Sequence, residues 1–384
     1  MKIIVIFFTI TLFTMAGCGG NKQLTDDFIS VDVTKRYPKK ELILQDFMDV
    51  EYIALETIDD FLTEGWVWAA GKDYIVARNL RSRDGNLYIF DRNGKGVQKI
   101  NRWGQGPEEY TFINNIILDE DNYELFVSNR EPNKIQVYDV YGRYKRTLQP
   151  ENRFLDVSNF NKENLICEFR VLSNDNHNDQ PSFFIMSKKD GSIVKEIHIQ
   201  YKERKLPRIQ GNGGVVSFGY PSIIPDRDGK ILTQSSSDTV LRLLPDYNIV
   251  PFIVRTPSIQ SMNPEVFLFP RMITDRYYFM DAVKREYDFV ADDGFPKTTL
   301  MHDRQTKTIH EYTLYNNDYS GKVSVNLSIG GALNSEIAFC QIIDAYTLVE
   351  ALEKGQLKEG KLKEIAAKLD VEDNPVIMLI KHKM

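Results

Sequence analysis

The nine residues Leu87-Tyr-Ile-Phe-Asp-Arg-Asn-Gly-Lys95 return 48 residues later as Ile135-Gln-Val-Tyr-Asp-Val-Tyr-Gly-Arg143. Each copy has four strand-forming residues, the fourth of them aromatic, followed by an aspartate, two further residues, a glycine and a basic residue. The aspartate favours the end of a strand, and glycine takes the positive φ of a tight turn at little cost. The pattern predicts a β-hairpin, and a period of about 50 residues is typical of propellers and solenoids.

Four weaker copies of this hairpin follow along the chain. They keep parts of the pattern, such as Gly191 in the third copy and Asp303 in the fifth, and they begin at Phe184, Val240, Thr299 and Val376. Further short strand candidates lie between the copies, so each unit has room for four strands, as one propeller blade has. Six units predict an all-β fold, a six-bladed β-propeller. A β-sandwich pair or a β-solenoid is the alternative, but a sandwich would not explain six copies of one turn.

The two ends of the chain are predicted to close the ring together. The last copy leaves only three residues after Lys381, too few for a fourth strand. We expect the unassigned strand Glu51–Glu56 to complete blade six, because such a clasp removes an exposed sheet edge. The last interval also carries an insert, about residues 344–369, with helical periodicity and Asp344 as a possible cap. The propeller domain is therefore predicted to span residues 46–384, with a short helical insert in its last blade.

The N-terminus has the features of an export signal. Lys2 precedes an apolar run at residues 3–13, which is too short to span a membrane as a helix. The following Ala16-Gly17-Cys18 resembles the lipobox of bacterial lipoproteins, in which the cysteine is lipidated and becomes the new N-terminus. An ordinary signal with a chance cysteine is the alternative. We predict a lipoprotein signal peptide at residues 1–17, lipid attachment at Cys18 and a polar tether at residues 18–45.

The composition narrows the class of protein. The chain has 384 residues, of which 42% are hydrophobic and 27% charged, and its formal net charge is −6. These values exclude a mainly disordered chain and a membrane protein with many spans. Because there is no excess of basic residues to neutralise phosphates, nucleic acid is not an expected partner. Gly19 follows the cysteine and no retention aspartate is present there, so we expect an outer-membrane lipoprotein, either periplasmic or surface-facing.

The search for catalytic and metal-binding motifs gives no candidate. The five histidines have no metal-ligand spacing, and no nucleotide loop or nucleophile elbow occurs, so no catalytic residue, metal or cofactor is predicted. His302 is interpreted as a packed strand histidine. The acidic stretch Asp119–Glu124 lacks the glycine and distal glutamate of a calcium loop and is interpreted as a solvated turn. Cys167 and Cys340 lie in apolar strand-like runs; buried free thiols are expected, and a disulfide stays open.

The loop after the first hairpin is the best candidate for ligand binding. It contains the sequence Gly104-Gln-Gly-Pro-Glu-Glu-Tyr110. It joins the outer strand of one blade to the inner strand of the next, so it is predicted to lie near the central channel. Aromatic and hydrogen-bonding groups there would suit a sugar or a peptide. The candidate ligand-binding side chains are those of Arg102, Trp103, Gln105, Glu109 and Tyr110. The alternative is a turn between two blades.

The stretch from Gly104 to Gly142 resembles an NHL-type propeller repeat. More closely, the chain resembles a family of six-bladed propeller lipoproteins of Gram-negative gut bacteria. The matching motifs are Leu55-Glu-Thr57, GQGPEEY at residues 104–110, Asp238-Thr-Val240 and Asn374-Pro-Val376. The family pattern usually has glycine where Glu108 stands. The resemblance implies the propeller fold and an extracytoplasmic location, and it implies no reaction.

Two classes of function remain open from the sequence. The first is a lipid-anchored binding or scaffold propeller, whose ligand is a glycan, a peptide or a partner protein. The alternative is a propeller enzyme, a lyase or a hydrolase, with its site at the central channel. An enzyme of that kind needs His, Asp or Glu side chains converging from several blades. A channel lined by aromatic and amide groups favours binding.

Overall fold

The computed structural model describes residues 28–81, 84–171, 180–211 and 214–383, and these form an all-β structure of six blades. Three strands precede the first blade and are added to later ones. They are β1 (Ile29–Asp32), β2 (Lys39–Ile43) and β3 (Met48–Ala54). Short 3-10 turns lie at Leu44–Asp46, Asp59–Phe61 and Ile259–Ser261.

Each of the first three blades is a four-stranded antiparallel sheet in chain order. Blade one contains β4 (Trp66–Ala70), β5 (Tyr74–Arg78), β6 (Asn86–Asp91) and β7 (Gly96–Asn101). Blade two contains β8 (Ile113–Asp119), β9 (Glu124–Asn129), β10 (Lys134–Asp139) and β11 (Tyr144–Leu148). Blade three contains β12 (Phe154–Asn159), β13 (Asn164–Phe169), β14 (Phe183–Ser187) and β15 (Ile193–Ile197). The third strand of each blade holds the hairpin motif of the sequence.

The other three blades carry additions. A separate hairpin, β16 (Arg208–Gly211) and β17 (Gly214–Ser217), comes before blade four. Blade four contains β18 (Ile223–Asp226), β19 (Gly229–Leu232), β20 (Thr239–Leu243) and β21 (Ile249–Thr256). Blade five contains β22 (Val266–Ile273), β23 (Tyr277–Lys284), β24 (Lys297–Asp303) and β25 (Thr308–Asn316), with β26 (Val323–Ser324) beside β25. Blade six contains β27 (Ile337–Ile343) and β28 (Val376–His382), and the helices α1 (Ala345–Glu353) and α2 (Lys361–Ala366) connect these two strands.

The N-terminal strand β3 closes the ring, as the sequence predicts. It pairs antiparallel with β28, from Val376 opposite Ala54 to His382 opposite Met48. Blade six therefore has the order β27-β28-β3, with the N-terminal strand outermost. Its innermost position is reduced to the backbone of Gly331, which forms a bridge with Cys340. The six-bladed fold, the closing strand and the helical insert of the sequence analysis are confirmed.

The segment predicted as a tether contains two of these strands. β1 runs parallel to β21, and β2 runs parallel to β25, so each adds a fifth strand to the outer edge of a blade. Val31 and Leu42 are buried there, at 0% and 7% exposure. The prediction that the tether extends to residue 45 is therefore wrong, because open sheet edges give these short apolar segments backbone partners. The predicted signal peptide 1–17 and Cys18 lie outside the described residues.

The repeated glycine has a structural role in the hairpins. Gly94, Gly142 and Gly191 have φ values of 84°, 81° and 81°, which lie in the left-handed region that favours glycine. The turn at Gly94 also packs against the closing strand: a Cβ there would lie 1.9 Å from the backbone oxygen of Ala54. A side chain at this turn would therefore meet both an unfavourable φ and the neighbouring blade.

The core consists of apolar layers between neighbouring blades. Leu87 and Ile89 of blade one pack with Ile116 and Leu125 of blade two, and similar clusters lie between the other blades. Alternate side chains of each strand point to the two adjacent blades, so most strands are buried on both faces. The helical insert joins this core through Leu348 of α1 and Leu362 and Ile365 of α2. Asp344 is at the N-cap of α1, but its side chain makes no capping hydrogen bond.

Candidate functional site

A central cavity of about 500 Å³ lies where the blades meet. The inner strands of blades one to four form most of its wall, because each unit begins with the strand nearest the axis. In blade six the wall is the irregular segment at residues 331–336. The contributions of the first three blades are Val67–Lys72, Asn115–Asp121 and Asp156–Asn159.

An amide and a carboxyl group bridge blades two and three across the cavity wall. Asn115 donates through Nδ2 to Asp156 Oδ1 and to the backbone oxygen of Val157, the latter at 2.8 Å. The backbone N–H of Val157 also donates to Asp156 Oδ1, at 2.8 Å. Both side chains are half-buried. The polar groups of the wall are therefore held in fixed positions, as a binding site requires.

The opposite end of the inner strands is acidic, and its carboxylates have structural partners. Glu120 accepts hydrogen bonds from the backbone N–H groups of Lys72, Asp73 and Tyr74, at 2.5, 2.9 and 2.8 Å. A carboxylate that accepts several backbone hydrogen bonds fixes the turn that donates them. Glu120 of blade two therefore locks the first turn of blade one at the end of the cavity.

The acidic stretch at residues 119–124 contains the solvated turn that the sequence favours, with Asp121, Asn122 and Tyr123 exposed, but the two residues that flank the turn are buried. Asp119 and Glu124 are each only 6% exposed. Asp119 pairs with Lys188 of blade three at 2.7 Å, and Glu124 receives both ends of the Arg146 guanidinium at 2.7 and 2.8 Å. These cations come from distant parts of the sequence, so spacing alone could not reveal them. Buried carboxylates are kept charged by such partners.

A second pocket, of about 330 Å³, lies beside the cavity at the other end of β4. The two share Val67, Trp68, Gly331 and Leu333 in their walls. Trp66 also lines the second pocket, and both tryptophans are half-buried. The guanidinium of Arg78 lies 5.4 Å from the ring of Trp68, and Arg78 Nη1 donates to the backbone oxygen of Ile113 at 2.9 Å. This contact holds Trp68 in place between the two spaces.

Two neighbouring acids of blade three have raised pKa values. Asp156 and Glu168 are cross-strand partners on β12 and β13. Burial, reinforced by the nearby charge of Asp156, raises the pKa of Glu168 to about 8, although Ser222 Oγ donates to Glu168 Oε2 at 2.7 Å and opposes the rise. Burial also raises the pKa of Asp156. At neutral pH this pair of acids therefore holds a proton.

The Glu168→Gln variant is expected to change how stability depends on pH. The pKa of Glu168 is higher in the folded protein than its ordinary value of 4.5, so folding favours the protonated acid. Its cost to stability is absent below pH 4.5 and grows as the pH rises toward 8. We expect the variant to gain roughly 2–4 kcal/mol of unfolding free energy relative to the wild type over this interval. Urea unfolding at several pH values measures it. The exposed Glu163→Gln is the control, and parallel curves for Glu168→Gln and wild type would contradict the expectation.

The loop predicted to bind ligand forms contacts within itself and with its two blades. Tyr110 is fully buried and donates through its hydroxyl to the Gly85 backbone oxygen at 2.8 Å. Glu109 Oε2 accepts from the N–H of Gly106 at 2.8 Å. The Arg102 guanidinium donates to the Gly142 backbone oxygen at 3.0 and 3.2 Å. Tyr110 therefore acts as an anchor of this loop between blades one and two.

The remaining two side chains of that loop face solvent. Trp103 is 45% exposed and rests on Gly85, and Gln105 is exposed. None of the five predicted residues lines the central cavity or the tryptophan pocket. The structure thus brings these residues together, but away from the cavity. A ligand-binding role for the loop stays a prediction.

The sequence analysis missed the residues that do line the cavity. Trp66, Trp68, Asn115 and Asp156 lie on inner strands, whereas the repeat motif marks third strands. The available signal was a polar residue inside an otherwise apolar first strand, as in the sequence Ile113-Asn-Asn-Ile-Ile-Leu-Asp119. Burying such a polar side chain in an apolar core is unfavourable, so its presence indicates a strand that faces a cavity.

Other candidate groups have structural explanations. Cys167 and Cys340 are both buried free thiols, one in blade three and one in blade six. His302 is 8% exposed, its ring lies against Tyr278, and burial lowers the pKa of this histidine. In the part of the chain that the structure describes, no three His, Cys, Asp or Glu side chains are grouped to hold a metal. Among the same residues, no helix is long and apolar enough to cross a membrane.

Six closed blades around a lined axial cavity define a six-bladed β-propeller. The chain belongs to the DUF4934 family, a domain of unknown function, whose pattern matches residues 28–381. The predicted membership of a family of six-bladed propellers is thereby confirmed. No curated protein matches the chain.

Three solved structures are similar to this chain, and the first of them supports the fold. A predicted exported protein from Bacteroides fragilis is similar, with a TM-score of 0.61 at 15% identity over 93% of this chain and 100% of the other. A DUF4221 family member from Bacteroides vulgatus has a TM-score of 0.49 at 12% identity, covering 88% and 100%. BamB from Moraxella catarrhalis has a TM-score of 0.41 at 8% identity, covering 87% and 99%. At 15% identity the first likeness shows the fold alone.

Proposed function

We propose that this propeller is a lipid-anchored extracytoplasmic binding protein, and that its central cavity takes a neutral oligosaccharide. The observation that carries the proposal is that the two neighbouring spaces share the wall residues Val67, Trp68, Gly331 and Leu333. Trp66 and Trp68 line one end, and Asn115 and Asp156 lie in the polar wall beyond them. A flat aromatic surface next to fixed hydrogen-bonding groups suits a sugar ring, which has apolar faces and a polar rim.

The size of the site fits a short saccharide. The two volumes, about 500 and about 330 Å³, lie in the range of small-molecule sites, which are roughly 300–1,000 Å³. Asn334 also lines the wall in the segment of blade six, where its amide donates to the backbone oxygen of Ala70 at 2.7 Å and is held in place. A peptide could use the same amides, and peptide binding is therefore one outcome of the test below.

The alternative, a lyase or hydrolase, needs several titratable groups directed at one point. The described walls of the two spaces contain carboxylates but no histidine, and Asp119 and Glu120 are engaged in structural contacts. The tryptophan and amide groups favour binding. A binding role also agrees with the propeller fold, whose loops and axial cavity can vary while the blades stay the same.

The Trp68→Ala variant is expected to lose saccharide binding. Removing a stacked ring from a sugar site costs about 1–3 kcal/mol, or roughly a ten- to hundredfold loss of affinity. Calorimetry with a panel of neutral tetrasaccharides, and with tetrapeptides for comparison, measures it. Trp103→Ala is the matched control, because Trp103 is exposed outside the cavity. The affinity of this variant for the saccharide should equal that of the wild type. Equal losses in both variants, or binding of peptides only, would contradict the proposal.

The Cys18→Ser variant is expected to lose membrane attachment while the propeller still folds. Cys18 follows the small pair Ala16-Gly17 and is the acylation site that the N-terminal sequence offers. Carbonate washing of membranes, followed by detection in the pellet and the supernatant, measures attachment. A Cys167→Ser variant is the control, since Cys167 is buried in blade three. If the Cys18→Ser protein stays in the washed pellet, the lipoprotein proposal fails.

A further inference from the structure

The outermost strand of blade six forms the floor of a groove, called here the blade-six groove. This groove has a volume of about 960 Å³ and is lined by every residue from Val50 to Thr57. Successive side chains of a strand point to opposite faces, so an unbroken run of residues lines one space only along its backbone edge. Tyr52 and Ile53 line the groove although their side chains are buried, at 7% and 4% exposure. The backbone edge of β3 therefore faces the groove.

This backbone edge is unpaired along most of its length. Among the described residues β3 has one strand partner, β28, on its other side. In an antiparallel pair, every second residue directs its N–H and C=O groups away from the partner. Beyond the end of β3, the Glu56 N–H donates to the Gly94 backbone oxygen at 2.8 Å, so the turn of blade one closes the groove there. The outward backbone groups of β3 itself can pair with a further strand.

The other outer edges of the ring are protected or covered, whereas β3 is neither. The strands β7, β11 and β15 have five or six residues, and each has a register shift where it pairs with its neighbour. Short lengths and bulges of this kind protect a sheet edge from strand addition. The edges of blades four and five are covered by β1 and β2. β3 has seven residues and pairs with β28 in continuous register, so its outer edge is long and regular.

The two walls of the groove combine apolar and basic side chains. One wall is formed by α2 and the residues after it, where Ile365 and Leu369 pack against the blade-six core. The turn of blade one forms the other wall. Three lysines of these walls are exposed and make no ion pair within the described part of the chain: Lys95, Lys361 and Lys368. They are therefore available to an acidic ligand.

The carboxylates of the groove, in contrast, already have partners. Glu51 pairs with Arg92 at 2.7 Å and with Lys381 at 2.8 Å. Glu56 and Asp373 accept hydrogen bonds from backbone N–H groups, at 2.9 and 2.8 Å. The charges that remain without an ion pair are thus those of the lysines, and they favour a ligand with negative side chains.

We propose that the blade-six groove binds an extended acidic segment of a partner protein, which adds to β3 as a further strand. Main-chain hydrogen bonds to the edge of β3 provide the affinity, and the lysines select acidic side chains. Strand addition at an outer edge already occurs twice in this fold, at blades four and five. At about 3.3 Å per residue, the stretch Val50–Leu55 is roughly 20 Å long and takes a segment of about six to eight residues.

Calorimetry with a capped octapeptide of alternating valine and glutamate tests this site. We expect a dissociation constant below about 1 mM, and binding at least tenfold weaker for an octapeptide of alternating valine and lysine. The acidic octapeptide with every backbone nitrogen methylated keeps its charges but has no N–H donor, and it should also bind at least tenfold more weakly. Hydrogen exchange at residues 48–55 should slow when the acidic peptide binds.

The Lys361→Glu, Lys368→Glu double variant should bind the acidic peptide at least tenfold more weakly than the wild type. The matched control is Lys162→Glu, Lys189→Glu, because both lysines are exposed on turns of blade three and the net charge changes equally. Trp68→Ala should bind the octapeptide as the wild type does, because Trp68 lines the tryptophan pocket. Thermal unfolding verifies that each variant is folded.

Each remaining outcome would overturn strand addition by an acidic partner. This applies if the acidic octapeptide does not bind, if the methylated peptide binds equally well, or if both double variants lose the same affinity. Slower exchange at residues 48–55 in the protein alone, as its concentration rises, would mean that a second copy occupies the groove. Loss of octapeptide binding in Trp68→Ala would place the peptide in the central cavity instead. A failure to bind saccharides, by contrast, would overturn the proposed function and leave the blade-six groove unaffected.

Discussion

A chain that ends at Pro375, lacking Val376–Met384, is expected not to form the closed ring. The missing strand, β28, lies between β27 and β3, so its removal leaves the N-terminal closing strand without a partner. The five residues Val376–Ile380 are each no more than 2% exposed. Burying one such side chain contributes about 1.5–3 kcal/mol, so their combined loss is comparable to the whole stability of a typical domain, about 5–15 kcal/mol.

Thermal unfolding followed by circular dichroism, together with limited proteolysis, measures this effect. The matched control is a truncated chain that begins at Val33 and therefore lacks β1. This strand is the first one described and pairs with the outer edge of blade four, which keeps its own four strands without it. We expect a cooperative transition at a lower temperature for the control and no cooperative transition for the C-terminal truncation. Similar transitions in the two variants would show that the ring is not closed through β28.

The blades could be predicted from the sequence because their signal is local and repeated. The hairpin at Leu87–Lys95 contains a strand end, a turn glycine and a basic residue within nine positions, and its copies give the blade count. The closing strand could be predicted by counting strands. Six third strands define six blades, the last blade lacks a fourth strand, and one strand near the N-terminus has no other place. In the structure β3 indeed pairs with β28, two segments more than 300 residues apart. The repeated motif thus made it possible to predict a pairing between distant segments from local sequence signals.

The outer strands β1 and β2 could not be predicted in the same way. Each is a short segment that adds in parallel to a blade formed more than 200 residues later. Val31 lies in the short alternating stretch Ile29-Ser-Val-Asp-Val33, and Leu42 in the three-residue run Leu42-Ile-Leu44. Each apolar stretch is brief and polar residues surround it, so composition suggests a tether. Only the free outer edges of blades four and five, which exist in three dimensions, make these segments strands. The boundary of the propeller therefore depends on partners that the local sequence does not contain.

The site was harder to predict than the fold for a related physical reason. The loop at Gly104–Tyr110 has the composition of a binding loop, but the contacts it makes are with blade one, through Tyr110, and with blade two, where Gln136 and Tyr138 donate to its backbone oxygens. The cavity residues Trp68, Asn115 and Asp156 come from three different blades, and each looks like an ordinary strand residue in its own sequence context. Their relation follows from the ring geometry, in which all inner strands face one axis.

The Gly94→Ala variant is expected to destabilise the protein far more than a glycine replacement with similar backbone geometry elsewhere. Gly94 has a φ of 84°, and a Cβ at this position would lie 1.9 Å from the backbone oxygen of Ala54. The Gly94 oxygen also accepts the N–H of Glu56 at 2.8 Å, so the turn cannot move away without breaking this hydrogen bond. We expect a loss of about 3–5 kcal/mol of unfolding free energy, of which positive φ alone accounts for about 1–2 kcal/mol.

Gly294→Ala separates the two contributions. Gly294 has a φ of 86°, but no atom lies within 4 Å of a Cβ placed there. It therefore carries the cost of the backbone conformation without the close approach to another blade, and a loss of about 1–2 kcal/mol is expected. Urea unfolding of both variants and the wild type measures the difference. Because the extra loss at Gly94 arises only where the turn of blade one meets the closing strand of blade six, equal losses would mean that these two blades are not packed tightly at that junction.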